Sequence, residues 1–296
     1  MRILVAVDRN PYSANSVEVV AKLAANTWAN VTILGVLSKG HSQSSSPVSS
    51  QEWNMEHPLP KALQDYQKTF LSHFKEEECP YTQRDFGYEL VERRKGVWEE
   101  LYVAKSARKN LRARIRMGNP AKEILAEAQE EEMDLIVIGC DHSSGCEWEG
   151  LGGIPQKVVN DATCSVLVAK EEKTVNRIVC CLDHDLVSQQ SLEMINQLVT
   201  LHNAKLEIVG LTEGDELKIE VERKMDAILQ YYTTRGLEPL IEIVELSSLD
   251  AFISQEAKWG LMALWMGKKS ILEKVFPRRK VSKLIQGSES SVLILR

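Results

Sequence analysis

The sequence predicts an α/β protein built from two tandem doubly wound parallel-sheet domains of Rossmann type. Three observations predict it. The chain repeats itself, its apolar runs are short and rich in Val, Ile and Leu, and those runs alternate with segments of helical periodicity. At 296 residues there is room for two domains of about 150 residues each.

The repeat fixes the architecture. Arg2-Ile3-Leu4-Val5-Ala6-Val7-Asp8 reads like Arg177-Ile178-Val179-Cys180-Cys181-Leu182-Asp183, an offset of 175 residues. The same offset carries Ser13 onto Ser188, Ser16 onto Ser191 and Gly35 onto Gly210. Farther along the offset falls to 128, where Ile124 through Gly139 matches Phe252 through Gly267. At the end it is 126, with Val166-Leu167-Val168 on Val292-Leu293-Ile294. The fall from 175 to 128 gives the first copy 47 residues that the second lacks, between Leu37 and Asn110. The first domain is therefore expected over 1–171 with an insertion around 40–86, and the second over 175–296. The charged stretch Glu171–Thr174 joins them.

Each copy reads strand, helix, strand, helix, strand, helix, strand, helix, strand. The first strand, Ile3–Val7, is uniformly apolar, as a parallel strand covered on both faces must be. Ser13 is expected to cap the helix that follows, whose inner face is Val17, Val20, Leu23 and Ala24. Val31 and Ile33 mark the second strand. Within the insertion, His41–Ser50 is serine-rich and reads as loop, whereas Leu63, Tyr66, Phe70, Leu71 and Phe74 fall at helical spacing over Lys61–Lys75. That segment reads as an added helix packed on the domain. Asn119-Pro120 opens another helix, with proline at its first turn. Leu135–Ile138 is the fourth strand and Val166–Val168 the fifth.

Composition narrows the function classes. A formal net charge of -6 argues against nucleic-acid binding driven by overall charge. No apolar run approaches the roughly 20 residues of a membrane span, and the five-residue apolar start is short for a secretory leader. The expectation is a cytoplasmic protein with no membrane and no nucleic-acid partner. Four of the cysteines, Cys140, Cys164, Cys180 and Cys181, lie in or beside apolar runs and read as core.

Open parallel sheets bind ligands beyond the carboxyl ends of their strands, where the strand order reverses. In copy one those ends are Asp8 and Gly139. From Gly139 the loop runs Cys140-Asp141-His142-Ser143-Ser144-Gly145-Cys146-Glu147-Trp148-Glu149-Gly150-Leu151-Gly152-Gly153 and meets a helix near Ile154-Pro155. Glycines before a helix N-terminus let backbone N–H groups approach a phosphate. Asp141, Glu147 and Glu149 oppose a polyphosphate unless a cation intervenes. Cys140, His142 and Cys146 are metal-ligand types, but C-x-H-x3-C is not a usual zinc spacing. Neither G-x-S-x-G nor G-x4-G-K-[ST] occurs, and no residue stands out as a general base. The chain is not read as an enzyme, slow hydrolysis of a bound nucleotide aside, and no metal residue is assigned.

The segments Ile3–Asp8, Gly118–Leu125, Asp134–Gly139 and the glycine loop resemble the universal stress protein family, over most of both copies apart from the insertion. Its ATP-binding members carry G-x2-G-x9-G-[S/T]. Gly139 and Gly152 hold that spacing, while His142 and Gly153 stand at the other two positions. The resemblance implies a fold akin to adenine nucleotide hydrolases, and ATP or another adenine nucleotide in domain one. The implied binding residues are Asp8, Val36, Ile138, Gly139, His142, Gly152, Gly153 and Ile154. It also implies two domains paired as an intramolecular pseudo-dimer. In copy two Arg278-Arg279 stand at the phosphate positions and Met262 replaces Asp134, so that copy reads as degenerate. Two other readings stay open: a nucleotide-independent scaffold for another protein, and a metal or thiol sensor on the Cys140–Cys146 loop.

Overall fold

The computed structural model describes residues 1–38, 58–75, 78–81, 90–100, 108–140, 148, 151–170, 175–182, 187–212, 219–266 and 271–296. It divides into two compact units, Met1–Cys164 and Ser165–Arg296. The joining stretch Glu171–Thr174 lies outside the described residues.

In the first unit β1 (Arg2–Val7), α1 (Pro11–Thr27), β2 (Asn30–Leu37) and α2 (Pro58–Ser72) lead to a hairpin of β3 (Leu90–Arg94) and β4 (Val97–Glu100). Then come β5 (Leu111–Met117), α3 (Pro120–Glu130), β6 (Leu135–Cys140) and α4 (Ile154–Asp161). Their sheet order is β6-β1-β2-β5-β4-β3. The four core strands are parallel, and β4 and β3 run antiparallel at the edge. Ile3–Val7 and Leu135–Ile138 are essentially without solvent exposure, as the uniform apolar runs require.

The second unit holds β7 (Ser165–Lys170), β8 (Arg177–Cys181), α5 (Gln189–His202), β9 (Lys205–Thr212), α6 (Ile219–Thr233) and β10 (Leu240–Glu245). It continues with α7 (Leu249–Glu256), β11 (Leu261–Trp265), a short α8 (Ile271–Val275), α9 (Arg278–Gly287) and β12 (Val292–Leu295). The order is β10-β9-β8-β11-β12-β7. All neighbours are parallel except β12 and β7. The repeat makes β7 the first copy's fifth strand. It groups here with the second unit, Val166, Leu167 and Val168 facing Ile294, Leu293 and Val292.

One feature of the predicted insertion is corrected. A helix does pack on the domain near Lys61–Lys75, but α6 occupies the same place in the second unit, between the second and third parallel strands. The helix is thus common to both units. The surplus lies in its flanks and includes the β3–β4 hairpin. The glycines that the repeat aligns explain how each helix fits. A Cβ on Gly35 would meet Leu59 of α2 at 3.0 Å, and one on Gly210 would meet Ile243 at 3.0 Å and Met225 of α6 at 3.3 Å. Side-chain-free positions let the helix close on the sheet. Phe70 of α2 stacks edge-on to Tyr81, centroids 5.0 Å apart, which fastens the helix to the chain beyond it.

A second correction concerns Ser13. Helix α1 begins earlier, at Pro11, with Asn10 as its N-cap and no side-chain capping bond. Proline presets φ for the first turn, which frees the Ser13 hydroxyl for another partner. The expected start at Asn119-Pro120 holds, and the Asn119 side chain accepts from the Lys122 N–H at 3.2 Å.

The face of β5 that meets α3 carries charge. Arg114 and Arg116 are 4% and 5% exposed, and Glu127 between them is 1% exposed. Glu127 accepts from Arg114 at 2.5 Å and from Arg116 at 2.8 Å. Arg114 also meets Glu99 at 2.9 Å and Glu131 at 2.7 Å, and Arg116 meets Glu123 at 2.8 Å and Glu130 at 3.0 Å. Such a network contributes little net stability when complete, yet losing one buried member costs about 3–5 kcal/mol because a charge is stranded.

Candidate functional site

The sheet order of the first unit reverses at β1, whose neighbours are β2 on one side and β6 on the other. Ala6 is in register with both Leu34 and Ile138. Asp8, Val36 and Cys140 therefore stand at one level, each two residues beyond that triplet. This is the crevice in which open α/β sheets hold ligands. The structure thus brings Asp8, Val36, Ile138 and Gly139 together. His142 lies outside the described residues, as do the rest of 141–147 and Cys146.

Asp8 is 1% exposed, and its carboxylate is already engaged. Oδ1 accepts from the Ser13 hydroxyl at 2.7 Å and the Asn10 N–H at 3.0 Å. Oδ2 accepts from Asn10 Nδ2 at 2.6 Å and the Tyr12 hydroxyl at 2.5 Å. The Asp8 N–H donates back to Ser13 Oγ at 3.0 Å, and Tyr66 of α2 donates to the Asp8 carbonyl at 2.8 Å. Burial, then the Asp8 charge, pushes the Tyr66 phenol up to about 12, so it remains a donor at any physiological pH. Asp8 ties the β1–α1 turn together and anchors α2 to it. Sequence reading singled out Asp8 but missed Asn10, Tyr12 and Tyr66. The signal available was a run of hydrogen-bonding side chains just past a strand-end acid.

Gly139 is tightly covered. A Cβ there would lie 2.5 Å from the Tyr12 ring and 2.7 Å from Ser16 Oγ. Its lack of a side chain lets α1 close on the end of β6. Gly152 differs, being exposed, with nothing within 4 Å of an added Cβ. Gly153 caps α4 in the left-handed region at φ 75. Ile154, the first residue of α4, is 2% exposed and Pro155 follows it. Helix α4 is the next helix after β6, and Gly153 stands at its N-terminus. It presents about half a unit of positive charge and free N–H groups there. This end can bind an anion through backbone alone.

Trp148 was also missed. It is fully buried and forms a tight turn with Leu151, with bonds of 3.0 and 2.7 Å in the two directions. Its indole N–H is buried and has no acceptor among the described residues. Leaving such a donor unpaired costs about 1–3 kcal/mol.

Cys140 is fully buried and takes part in a disulfide, while Cys79, Cys164, Cys180 and Cys181 are outside any disulfide. A disulfide sulfur is not a thiolate ligand. Among the described residues no group of three or more His, Cys, Asp or Glu side chains is placed to hold a metal ion. In the second unit α9 starts at Arg278 behind Pro277 rather than a glycine, and Arg278 and Arg279 are exposed. Met262 is fully buried there, whereas Asp134 accepts from the Arg2 N–H at 2.7 Å. Asp183 and Gly267 lie outside the described residues. No helix among the described residues is long and apolar enough to cross a membrane.

Comparison with known proteins gives consistent matches. The model of the Universal stress protein family matches residues 1–170. Universal stress protein MJ0531 of Methanocaldococcus jannaschii is 41% identical over 56 residues, 19% of this chain and 33% of that protein. The chain thus spans only a third of that relative. Universal stress protein YxiE of Bacillus subtilis is 27% identical over 172 residues, 57% of this chain and 98% of that protein. The crystal structure of a universal stress protein from Archaeoglobus fulgidus superposes with a TM-score of 0.60 at 15% identity. It covers 100% of this chain and 96% of that one, a likeness of fold.

Proposed function

Because this chain belongs to the universal stress protein family, we propose that it is a cytoplasmic stress-response protein. It acts by binding, and the ligand of its first unit is ATP or another adenine nucleotide. The observation that carries this reading is the glycine-capped start of α4, the next helix after β6, a strand that neighbours β1 where the strand order reverses. Gly152 and Gly153 leave the backbone approachable, and the helix favours negative charge. The orphaned Trp148 N–H in the same loop adds support, since a ligand or water oxygen would satisfy it. The phosphates are held by backbone N–H groups from Gly152 through Ile154. The base lies toward Val36 and Ile138–Gly139. Asp8 contributes by holding the β1–α1 turn, because its own oxygens are engaged. The second unit, without the glycine cap, takes no nucleotide. The role proposed is binding rather than turnover. Denaturing the natively purified protein and analysing the released small molecules tests the reading. An adenine nucleotide at near one equivalent per chain is expected, and its absence after loading with millimolar ATP would defeat it.

The Cys140 disulfide favours a second reading, a thiol switch in the loop after β6, over a metal sensor. Disulfides in a reducing compartment are usually transient and redox-sensing. Alkylation under denaturing conditions separates the two. Cys140 is expected to label only after reduction, and labelling without reductant would remove this reading.

A further inference from the structure

Strand β10 ends the sheet of the second unit. An edge strand leaves every second N–H and C=O without a ladder partner. The Leu246 N–H donates to the Thr212 carbonyl at 3.0 Å. The alternation of a parallel ladder then turns Leu240, Glu242 and Val244 toward β9 and leaves Ile241, Ile243 and Glu245 facing outward. The first unit shows the same strand with this edge satisfied. There the Gly118 N–H donates to Leu37 at 2.9 Å, which is the same bond one repeat earlier. Met117, the counterpart of Glu245, donates outward to the Gly96 carbonyl at 2.8 Å. The strand that covers the edge, β4, sets Trp98 opposite Ile115 and Glu99 opposite Arg114. Trp98 is buried there, and Glu99 pairs with Arg114 at 2.9 Å.

At the repeat offset of 128, Ile115 becomes Ile243 and Arg114 becomes Glu242. The apolar character of the edge is kept and uncovered: Leu240, Ile241 and Ile243 are 59%, 44% and 42% exposed. Its charge is inverted. Behind Glu242, the carboxylates of Glu207 and Glu256 already share the Arg177 guanidinium, at 2.7 and 2.8 Å. A hydrogen bond to Glu207, followed by burial, raises the Glu242 carboxyl above its ordinary range, and β10 itself carries no cation.

We infer that the outer edge of β10 receives an antiparallel β-strand from a protein partner, one with an apolar or aromatic residue opposite Ile243 and lysine or arginine opposite Glu242. The first unit supplies the template, and the reversed charge supplies the selectivity. Main-chain bonds give the attachment, and the cross-strand pairs choose the partner.

The test uses the full chain and a synthetic peptide of residues 90–100 carrying Glu99→Lys and Glu100→Lys, with the unchanged peptide as control. Amide chemical shifts report binding. The lysine peptide is expected to give saturable shifts confined to β10 and β9, and to bind about fivefold more tightly than the control. In a Glu242→Arg chain the order of the two peptides reverses. Glu242 is exposed, so that chain keeps its fold, and Glu245→Arg provides a second variant on the same edge. Equal binding of both peptides, or shifts centred elsewhere, overturns the proposal. So does a concentration-dependent dimer in sedimentation that Ile243→Lys abolishes, since the edge then belongs to a second copy.

Discussion

Replacing Glu127 with alanine removes the carboxylate that both buried arginines of β5 share. Glu127 is 1% exposed, and Arg114 and Arg116 reach it at 2.5 and 2.8 Å. Truncation takes the shared buried carboxylate from two guanidiniums. Breaking a buried pair costs about 3–5 kcal/mol. Each arginine retains two other carboxylates, Glu99 and Glu131 on one and Glu123 and Glu130 on the other. The loss should therefore sit near the lower bound, about 3 kcal/mol. In a unit of this size, that lowers the melting temperature by about 6–12 °C. Glu130→Ala is the control. Its side chain is 41% exposed, and surface pairs contribute about 0–1 kcal/mol. Hydrogen exchange of the β5 amides assigns the loss to the first unit, which matters because two units need not unfold in one step. Equal losses for Glu127→Ala and Glu130→Ala would refute the reasoning, since burial would then not set the cost.

The two units should respond to pH with opposite sign. Hydrogen bonds from Arg116 and Arg94 hold Glu130 below the usual 4.5. Burial pushes Glu131 up, but the bond and charge of Arg114 outweigh it. Depressed carboxyl pKa values add stability above pH 4.5 that is lost as pH falls through the lowered values, so β5 protection should fail in acid. Glu242 is raised, so its contribution is complete below 4.5 and is lost as pH rises through its folded value, and β10 protection should increase on mild acidification. Hydrogen exchange read separately on the two strands checks both signs. Trp28 closes α1 in the left-handed region at φ 51, while its repeat counterpart Asn203 closes α5 at φ 47. Asparagine tolerates that conformation better, so Trp28→Asn should stabilise the first unit by about 0.5–1 kcal/mol in urea unfolding. Gly139→Ala would bring a methyl within 2.9 Å of the Tyr12 carbonyl, and overpacking of that kind should cost about 1–3 kcal/mol in the same assay.

The sheet topology was legible because the repeat and the all-apolar strands each point to one answer. Arg2–Asp8 over Arg177–Asp183 is enough to place the first strand of each copy. The β3–β4 hairpin was not legible. Leu90–Arg94 and Val97–Glu100 are charge-rich, and their only turn signal is Lys95-Gly96, with Gly96 at φ 80. Helix α6 shares too little pattern with α2 to align without a gap, which is why α2 read as an addition. The ion network left a trace that periodicity reading passes over. Arg112, Arg114 and Arg116 alternate along a strand, so they share one face and need acidic partners there. At the candidate site, spacing singled out Gly139, Gly152 and Gly153. Which donors would occupy Asp8 depended on side-chain directions that sequence does not carry. The cap of α1 was misplaced for the same reason, since Ser13 turns to Asp8 instead.

The most direct test of nucleotide binding by the first unit is the melting temperature of the full chain in millimolar ATP, beside a Gly152→Phe chain. Gly152 lies in open space, so the substitution should leave the unliganded melting temperature unchanged while blocking the approach to α4. ATP at 100 times its dissociation constant stabilises a protein by about 2.7 kcal/mol. The account predicts an upward shift in the unaltered chain and none in Gly152→Phe. An unaltered chain that does not respond to ATP, or a Gly152→Phe chain that responds equally, would contradict it.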